Sequence, residues 1–249
     1  MIRVPHAGLA VGPLELDAAA SRYAARVRRV QAGDVVLLFD PEAAVEAEAV
    51  VEEARGKRGE VRVVVGAVRP ASLRPRRAVT VIQCVGKADK LDQVVRDATE
   101  LGATAVLPAW SERCVAERSS LASLARLGRV AVEAARQCLR GDVPRVEAPR
   151  PLSEVLAETK SDVRMVLDPT ASRPLRAALE GAASTTSVAF VVGPEGGLSS
   201  GEILACAEAG FGPVRLGGLV LRTETAATAA LGAIAALLDD EGVHLQPQR

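Results

Sequence analysis

The sequence predicts an α/β protein: a mostly parallel sheet in the C-terminal two-thirds, preceded by a small β-rich domain. Three observations carry this. The first seventy or so residues hold short, Val-dense runs separated by Gly, Pro and Glu. From residue 79 onward, short apolar runs alternate with longer stretches of helical period. Between the two lies Arg69–Arg77 (RPASLRPRR), stiffened by two Pro and without an apolar period, which reads as a linker. The expected domains are residues 1–72 and 73–249.

In the first domain, Val35–Phe39, Val45–Val51 and Val61–Val68 are the expected strands, with Gly33-Asp34 and Asp40-Pro41 as the turns around the first. That spacing suits a small barrel or sandwich. Only Ala18–Arg29 reads as a helix.

In the second domain, Val79–Val85 is a continuous apolar strand. Leu91, Val94, Val95, Ala98 and Leu101 recur at helical spacing and Gly102 ends that helix. Ala105–Leu107 is a short strand stopped by Pro108, and Ser120–Arg140 a long helix. The alternation continues with strand Val163–Leu167, helix Pro174–Leu179, strand Val188–Val192, helix Ser200–Ala209, strand Val214–Leu216 and helix Glu224–Leu238. Strands alternating with helices imply a parallel sheet covered on both faces.

Composition narrows the function. Of 249 residues, 49% are hydrophobic but only 2% aromatic, so the core is built of Ala, Val and Leu. With 31 basic and 31 acidic residues the formal charge is zero, which argues against a polybasic nucleic-acid binder, and few aromatics argue against a stacking platform. The charge is nevertheless divided: residues 1–75 carry +1, 76–150 carry +4 and 151–249 carry −5. Arg outnumbers Lys among the basic residues, a bias that fits bidentate phosphate contacts and equally a GC-rich coding sequence. No apolar run is long enough for a membrane span, and MIRVPHAG does not develop into a signal peptide. Cys84, Cys114, Cys138 and Cys206 are scattered without a CxxC, as expected of reduced thiols in a cytoplasmic protein. With His6 and His244 the only histidines, neither a metal site nor a Ser/His/Asp triad is expected.

Two stretches stand out. Val191–Gly197 (VVGPEGG) runs from a buried strand into a Gly-rich turn, and Ser199–Glu202 then has the capping-box spacing. Glycines at the carboxyl end of a parallel strand let a ligand approach the backbone closely, although an ordinary tight turn explains them equally. The pattern is not GxGxxG, so a dinucleotide-binding dehydrogenase is disfavoured. Leu216–Ala226 (LGGLVLRTETA) places another Gly-Gly after a strand and Arg-Thr-Glu-Thr at a helix start. Thr223 as N-cap and Glu224 in the first turn suit the helix alone. Arg222 does not, since a cation before a helix N-terminus meets an unfavourable dipole; it suits an anion or a developing negative charge.

The pair GPEGG (Gly193–Gly197) and LGxxVLRTETA (Leu216–Ala226) resembles the RsmE family, bacterial SPOUT-class methyltransferases of small-subunit ribosomal RNA. Thr99–Gly102 followed by Pro108 and Ser111–Arg113 resembles that family's TELG…P…SER stretch. Glu133–Ala135, Gln137 and Arg140 resemble its EAxxQxxR helix. The resemblance spans most of residues 80–230. The chain departs from the pattern at Leu219, where Arg is usual, and at Arg96-Asp97, where Gln-Lys is usual.

The resemblance implies a C-terminal trefoil knot, where spacing alone would draw an unknotted sheet, and a PUA-like RNA-binding first domain. It implies S-adenosylmethionine as cofactor, held by Leu167, Gly193, Glu195, Gly196, Gly197, Leu216, Gly217, Val220, Leu221, Thr225 and Ala226. The implied product is N3-methyluridine in 16S rRNA, with another RNA target or an inactive RNA-binding assembly factor as the alternatives, and the implied assembly is a homodimer through the knot, with the small ribosomal subunit as partner and no membrane. Arg222 is the expected catalytic cation, with Glu224 orienting it or assisting proton removal. Arg3, Arg22, Arg26, Arg28 and Arg140 are the expected RNA contacts; a solvated face explains the first four as well. Arg126, Arg129 and Arg136 share a helical stripe with Glu133, so ion pairs within the protein explain them too.

Overall fold

The structure, a computed structural model, describes residues 1–55, 60–86, 90–114, 124–183 and 185–238. Met1–Arg74 with Ala135–Val143 forms one compact unit, and Pro75–Ala134 with the described residues from Pro144 to Leu238 forms the other.

The first unit is a six-stranded sheet. Strands β1 (Ile2–Pro5), β2 (Gly12–Glu15), β3 (Val35–Asp40), β4 (Val45–Arg55) and β5 (Glu60–Val65) lie in the order β1-β3-β4-β5-β2. Only β1–β3 is parallel. Strict alternation sends Val61, Val63 and Val65 inward and Arg62 and Val64 outward, so one face closes a core with Ala47, Ala49, Val51, Val36 and Leu38. Each Val or Leu so buried contributes about 1.5–3 kcal/mol. Helix α1 (Ala18–Arg22) starts where the Asp17 carboxylate accepts from the Ala19 and Ala20 amides, both at 2.8 Å. The helix expected over Ala18–Arg29 is shorter than its pattern: it widens into a π-turn at Tyr23–Val27, and Arg29 adopts φ +55°. The expected linker begins inside the sheet, because β6 (Arg69–Pro70) pairs with β4, at a peripheral site where proline's missing N–H is tolerated. Farther along it, the Gly141 amide donates to Leu73 O at 2.8 Å. Gly141 comes so close that a Cβ there would lie 2.2 Å from that of Ala71.

The second unit is a parallel sheet ordered β10-β8-β7-β12-β11-β13, with β9 beside β8. Its strands are β7 (Val79–Cys84), β8 (Ala105–Trp110), β9 (Arg145–Val146), β10 (Arg150–Pro151), β11 (Val163–Leu167), β12 (Val188–Val192) and β13 (Gly212–Val214). The helices are α2 (Lys90–Glu100), α3 (Leu124–Gln137), α4 (Leu152–Glu158), α5 (Leu175–Ala178), α6 (Ser200–Glu208) and α7 (Thr223–Leu237). α4 and α6 cover one face through Leu152, Val155, Leu156 and Cys206, and α7 packs on α2 and β12. Every residue of β12 is buried, as a strand covered on both sides requires.

Several boundaries differ from expectation. β8 passes through Pro108, which falls between its short partners β9 and β10, where no ladder bond is lost. The last strand is Gly212–Val214 rather than Val214–Leu216. The long helix ends at Gln137, because Leu139 turns to φ +66°; residues 120–123 of that expectation lie outside the described residues. Arg140 therefore lies beyond the helix. No helix among the described residues is long and apolar enough to cross a membrane.

Candidate active site

Because the strands of the second unit are parallel, the loops after β7, β8, β11, β12 and β13 leave from one edge of the sheet. The Gly193–Gly197 loop leaves β12 beside β7, where the chain path reverses its direction of growth across the sheet. Open α/β sheets bind ligands at such points. The turn closes by Gly197 N–H donating to Pro194 O at 2.8 Å, with Gly197 at φ +69°. The Ser199 capping box is formed in both directions, at 3.2 and 2.9 Å.

Two other motif segments clasp this loop. Arg113 Nη1 donates to Gly196 O at 2.9 Å, and the Glu112 amide donates to Glu202 Oε1 at 2.8 Å. From α7, the Thr223 hydroxyl donates to Gly193 O at 2.8 Å and accepts from Gln83 Nε2 at 2.8 Å. The SER stretch, the GPEGG loop and the RTETA helix start thus converge. Arg222, rather than Thr223, is the cap residue of α7, since the Thr223 hydroxyl is spent on the neighbouring loop.

The second glycine loop, Arg215–Leu221, is fastened at its base. The Arg215 guanidinium donates to the Ser172 and Ala171 carbonyls, and its backbone N–H to Arg173 O at 2.9 Å. Leu167, at the end of β11, pairs in register with Val214 and is half-buried. Leu216 and Leu221 are half-buried, Gly217 exposed, and Leu219 and Val220 are 80% and 82% exposed. Glu195 and Gly196 are exposed; Gly193 and Gly197 are half-buried. In the first turn of α7, Thr225 is exposed and Ala226 half-buried.

Arg222 is exposed, and its guanidinium makes no hydrogen bond or ion pair with the described residues. Glu224 is 5% exposed, and its partner is not Arg222 but Lys90, at the start of α2. Burial alone would raise the Glu224 carboxyl. The Lys90 hydrogen bond, with the charges of Lys90 and Arg222, outweighs it and holds the group below the usual carboxylate range. A carboxylate so stabilised is a weak proton acceptor. Lys90 belongs to none of the sequence motifs. Its one local signal is scarcity: lysine is rare in this Arg-rich chain.

The expected RNA contacts divide. Arg22, Arg26 and Arg28 are exposed; the first two line a cavity of about 470 Å³ with Glu15, Ser21 and Glu60. Arg3 and Arg140 are corrections. Arg3 is 7% exposed, 3.5 Å from Glu46, donates to Arg140 O at 3.3 Å and stacks over Phe39. Arg140 is buried and holds Asp142 through two hydrogen bonds of 2.6 and 3.2 Å. Both guanidiniums are engaged inside the first unit and present no face to phosphate. Along α3, Arg126 pairs with Asp92 at 2.5 Å and Arg136 stacks on Tyr23, so both arginines have partners within the protein.

Residues 73–235 match the RNA methyltransferase domain family, and residues 16–64 the RNA methyltransferase PUA domain. A ribosomal RNA small subunit methyltransferase E of Mycobacterium bovis is 37% identical over 224 residues, covering 86% of this chain and 83% of its own length. Its counterpart in Synechocystis is 31% identical over 227 residues, 90% of this chain and 73% of its own. Among solved structures, the Neisseria gonorrhoeae ribosomal RNA small subunit methyltransferase E bound to S-adenosyl methionine superposes with a TM-score of 0.84. It is 28% identical, over 95% of this chain and 98% of that one. A Legionella pneumophila methyltransferase in complex with the same cofactor gives 0.83 at 30% identity, over 94% and 97%. The motifs that converge on the glycine loop, and relatives matched along most of the chain, lead to one assignment: the chain belongs to the ribosomal RNA small subunit methyltransferase E family.

Proposed function

We propose that this protein transfers a methyl group from S-adenosylmethionine to N3 of a uridine in 16S rRNA, in the cytoplasm, with the small ribosomal subunit as the substrate particle. Membership of the family supports methyl transfer from S-adenosylmethionine to small-subunit rRNA. The choice of N3 is carried by Arg222: an exposed, unpaired cation two residues from a buried carboxylate, on a helix bonded to the glycine loop. In this reading residues 1–72 bind RNA and 73–249 carry the chemistry, knotted at the C-terminal end.

The residues fit the cofactor. Gly217 and Gly218 leave open space where a Cβ would stand, so backbone groups there are accessible to a ligand. Gln83 Oε1 and Glu224 Oε2 are buried acceptors without a hydrogen-bond partner, as a ligand rich in N–H donors would require. Leu167, Gly193, Glu195, Gly196, Gly197, Leu216, Gly217, Val220, Leu221, Thr225 and Ala226 would hold it. When bound, it supplies an electrophilic sulfonium methyl group.

The remaining difficulty is the acceptor. Uracil N3 carries a proton and becomes nucleophilic only on losing it to solvent water, and the resulting charge spreads to O2 and O4. Arg222 lowers the cost of that charge. Glu224, held by Lys90, positions the helix start. Leu219 and Val220, apolar and exposed beside the second glycine loop, support a homodimer contact through this region.

Nucleoside mapping of rRNA tests the proposal. A strain lacking this protein is expected to lose N3-methyluridine from 16S rRNA and regain it on complementation. Purified protein with radiolabelled cofactor and small subunits is expected to label the same base. Label on another base, or none, overturns the choice of N3.

A further inference from the structure

We infer that Lys90 is a positioning residue: by holding the Glu224 carboxylate, it keeps the Arg222 guanidinium unpaired and available to the reacting base. This rests on the role proposed for Arg222 above.

Arg222 and Glu224 stand two residues apart where α7 begins. Arg222 is in extended backbone (φ −64°, ψ 152°) and Glu224 is in the first helical turn, so a long guanidinium side chain has a carboxylate within its natural reach. The two nevertheless form no ion pair. Lys90 Nζ occupies Glu224 Oε1 instead, reaching across from α2. Glu224 is almost fully buried, and a buried carboxylate without a cation is costly enough to recruit one. Take Lys90 away and Arg222, whose charge already acts on Glu224, can take its place, but a guanidinium spent on Glu224 no longer faces a developing anion.

Lys90 has no local reason to be a cation. It lies in the first turn of α2, where the helix dipole disfavours positive charge. The nearby Asp92 is taken by Arg126 at 2.5 Å. Nor is Lys90 needed simply to attach the helices, since the Thr228 hydroxyl donates to Asp97 Oδ2 at 2.7 Å farther along the same α2–α7 seam. Its position makes sense for the carboxylate it holds.

The test uses the full-length protein with small subunits and S-adenosylmethionine. Lys90→Met is expected to lower kcat about tenfold or more, with KM for both substrates little changed. Lys90→Arg, which restores the ion pair, is expected to recover most of the loss. Lys90→Met combined with Glu224→Gln is expected to turn over faster than Lys90→Met alone, because no carboxylate remains to capture Arg222. A pair that only fastens α2 to α7 predicts the opposite: the double variant no better than the single, with KM rising as the thermal midpoint falls. That result, or wild-type kcat in Lys90→Met, overturns the inference. If Lys90→Met does not fold, Lys90→Gln keeps a hydrogen-bond donor and serves the same comparison. Arg222→Ala is run alongside. If it retains activity, the reading beneath the inference has failed; if it is inactive while Lys90→Met is normal, only the role of Lys90 has.

Discussion

The Thr223 hydroxyl donates to the Gly193 carbonyl at 2.8 Å, joining the start of α7 to the glycine loop after β12. The same oxygen accepts from Gln83 Nε2 at the end of β7, so one hydroxyl ties three segments of the site. Thr223→Val keeps the shape and removes both bonds, leaving buried polar groups short of a partner at a cost of about 1–3 kcal/mol. The thermal midpoint is expected to fall, and calorimetric titration to show weaker S-adenosylmethionine binding. Thr223→Ser is expected to restore both. Unchanged cofactor affinity in Thr223→Val means that the loop is positioned by other contacts.

Arg222 is exposed, so its removal costs the fold little; its effect is expected in turnover. Arg222→Ala is expected to lower kcat about 10²–10³-fold, the usual loss for one donor aimed at a developing anion, while cofactor affinity stays nearly intact. Single-turnover kinetics on small subunits with a parallel cofactor titration separate the two quantities. A parallel loss of cofactor affinity would place Arg222 in binding instead of chemistry.

What the sequence made legible was local. The alternation of Val61, Val63 and Val65, the Ser199–Glu202 capping box and the Gly-rich turn after β12 depend on neighbours within a few residues, and each formed as its pattern predicts. Thr223 shows the limit. As a sequence feature it is a helix cap, yet its hydroxyl bonds a carbonyl thirty residues away, and a tertiary partner outcompetes the local one. Arg3 and Arg140 are buried where exposure is expected, for the same reason. A charged side chain defaults to the surface unless a distant partner is known, and Glu46 lies forty-three residues from Arg3. Strands β1 and β2 have four residues each, too short for periodicity to register. Lys90 matters through Glu224, which only the packing of α2 on α7 brings near.

The arginines of the first unit are expected to separate into two kinds. Arg22 and Arg26 line an open cavity, so replacing each with Ala is expected to leave stability unchanged and weaken RNA binding. Each is expected to reduce the slope of log affinity against log salt by about 1 if it meets a phosphate. Arg3 behaves otherwise. Its partner Glu46 is fully buried and also meets Arg69 at 3.3 Å, so Glu46→Ala strands the Arg3 charge at a cost of about 3–5 kcal/mol. RNA affinity per folded molecule is then unaltered. Filter binding across a salt series, with denaturant unfolding of the same variants, resolves the two kinds; a salt slope unchanged in both Arg22→Ala and Arg26→Ala removes that cavity from the RNA path.

Asp40 sets an acid limit on the first unit. Its carboxylate accepts from the Gly8 amide at 2.7 Å and from the Glu42 and Ala43 amides at 3.0 Å each. Burial pushes the carboxyl up, but the three backbone bonds and the charge of His6 outweigh it, so it titrates below its usual range. A folded-state pKa lower than the unfolded one means that the unfolded chain binds the proton more readily. The stabilisation is therefore complete above the ordinary carboxylate pKa of about 4 and is lost as pH falls through the lower, folded value. Glu224, also lowered, has the same sign in the second unit. Urea unfolding from pH 7 to pH 2 is expected to show a steep acid loss in the wild type. In Asp40→Asn, stability is expected to be lower at pH 7 and the acid slope shallower. Equal slopes in the two proteins would assign the acid loss to other carboxylates.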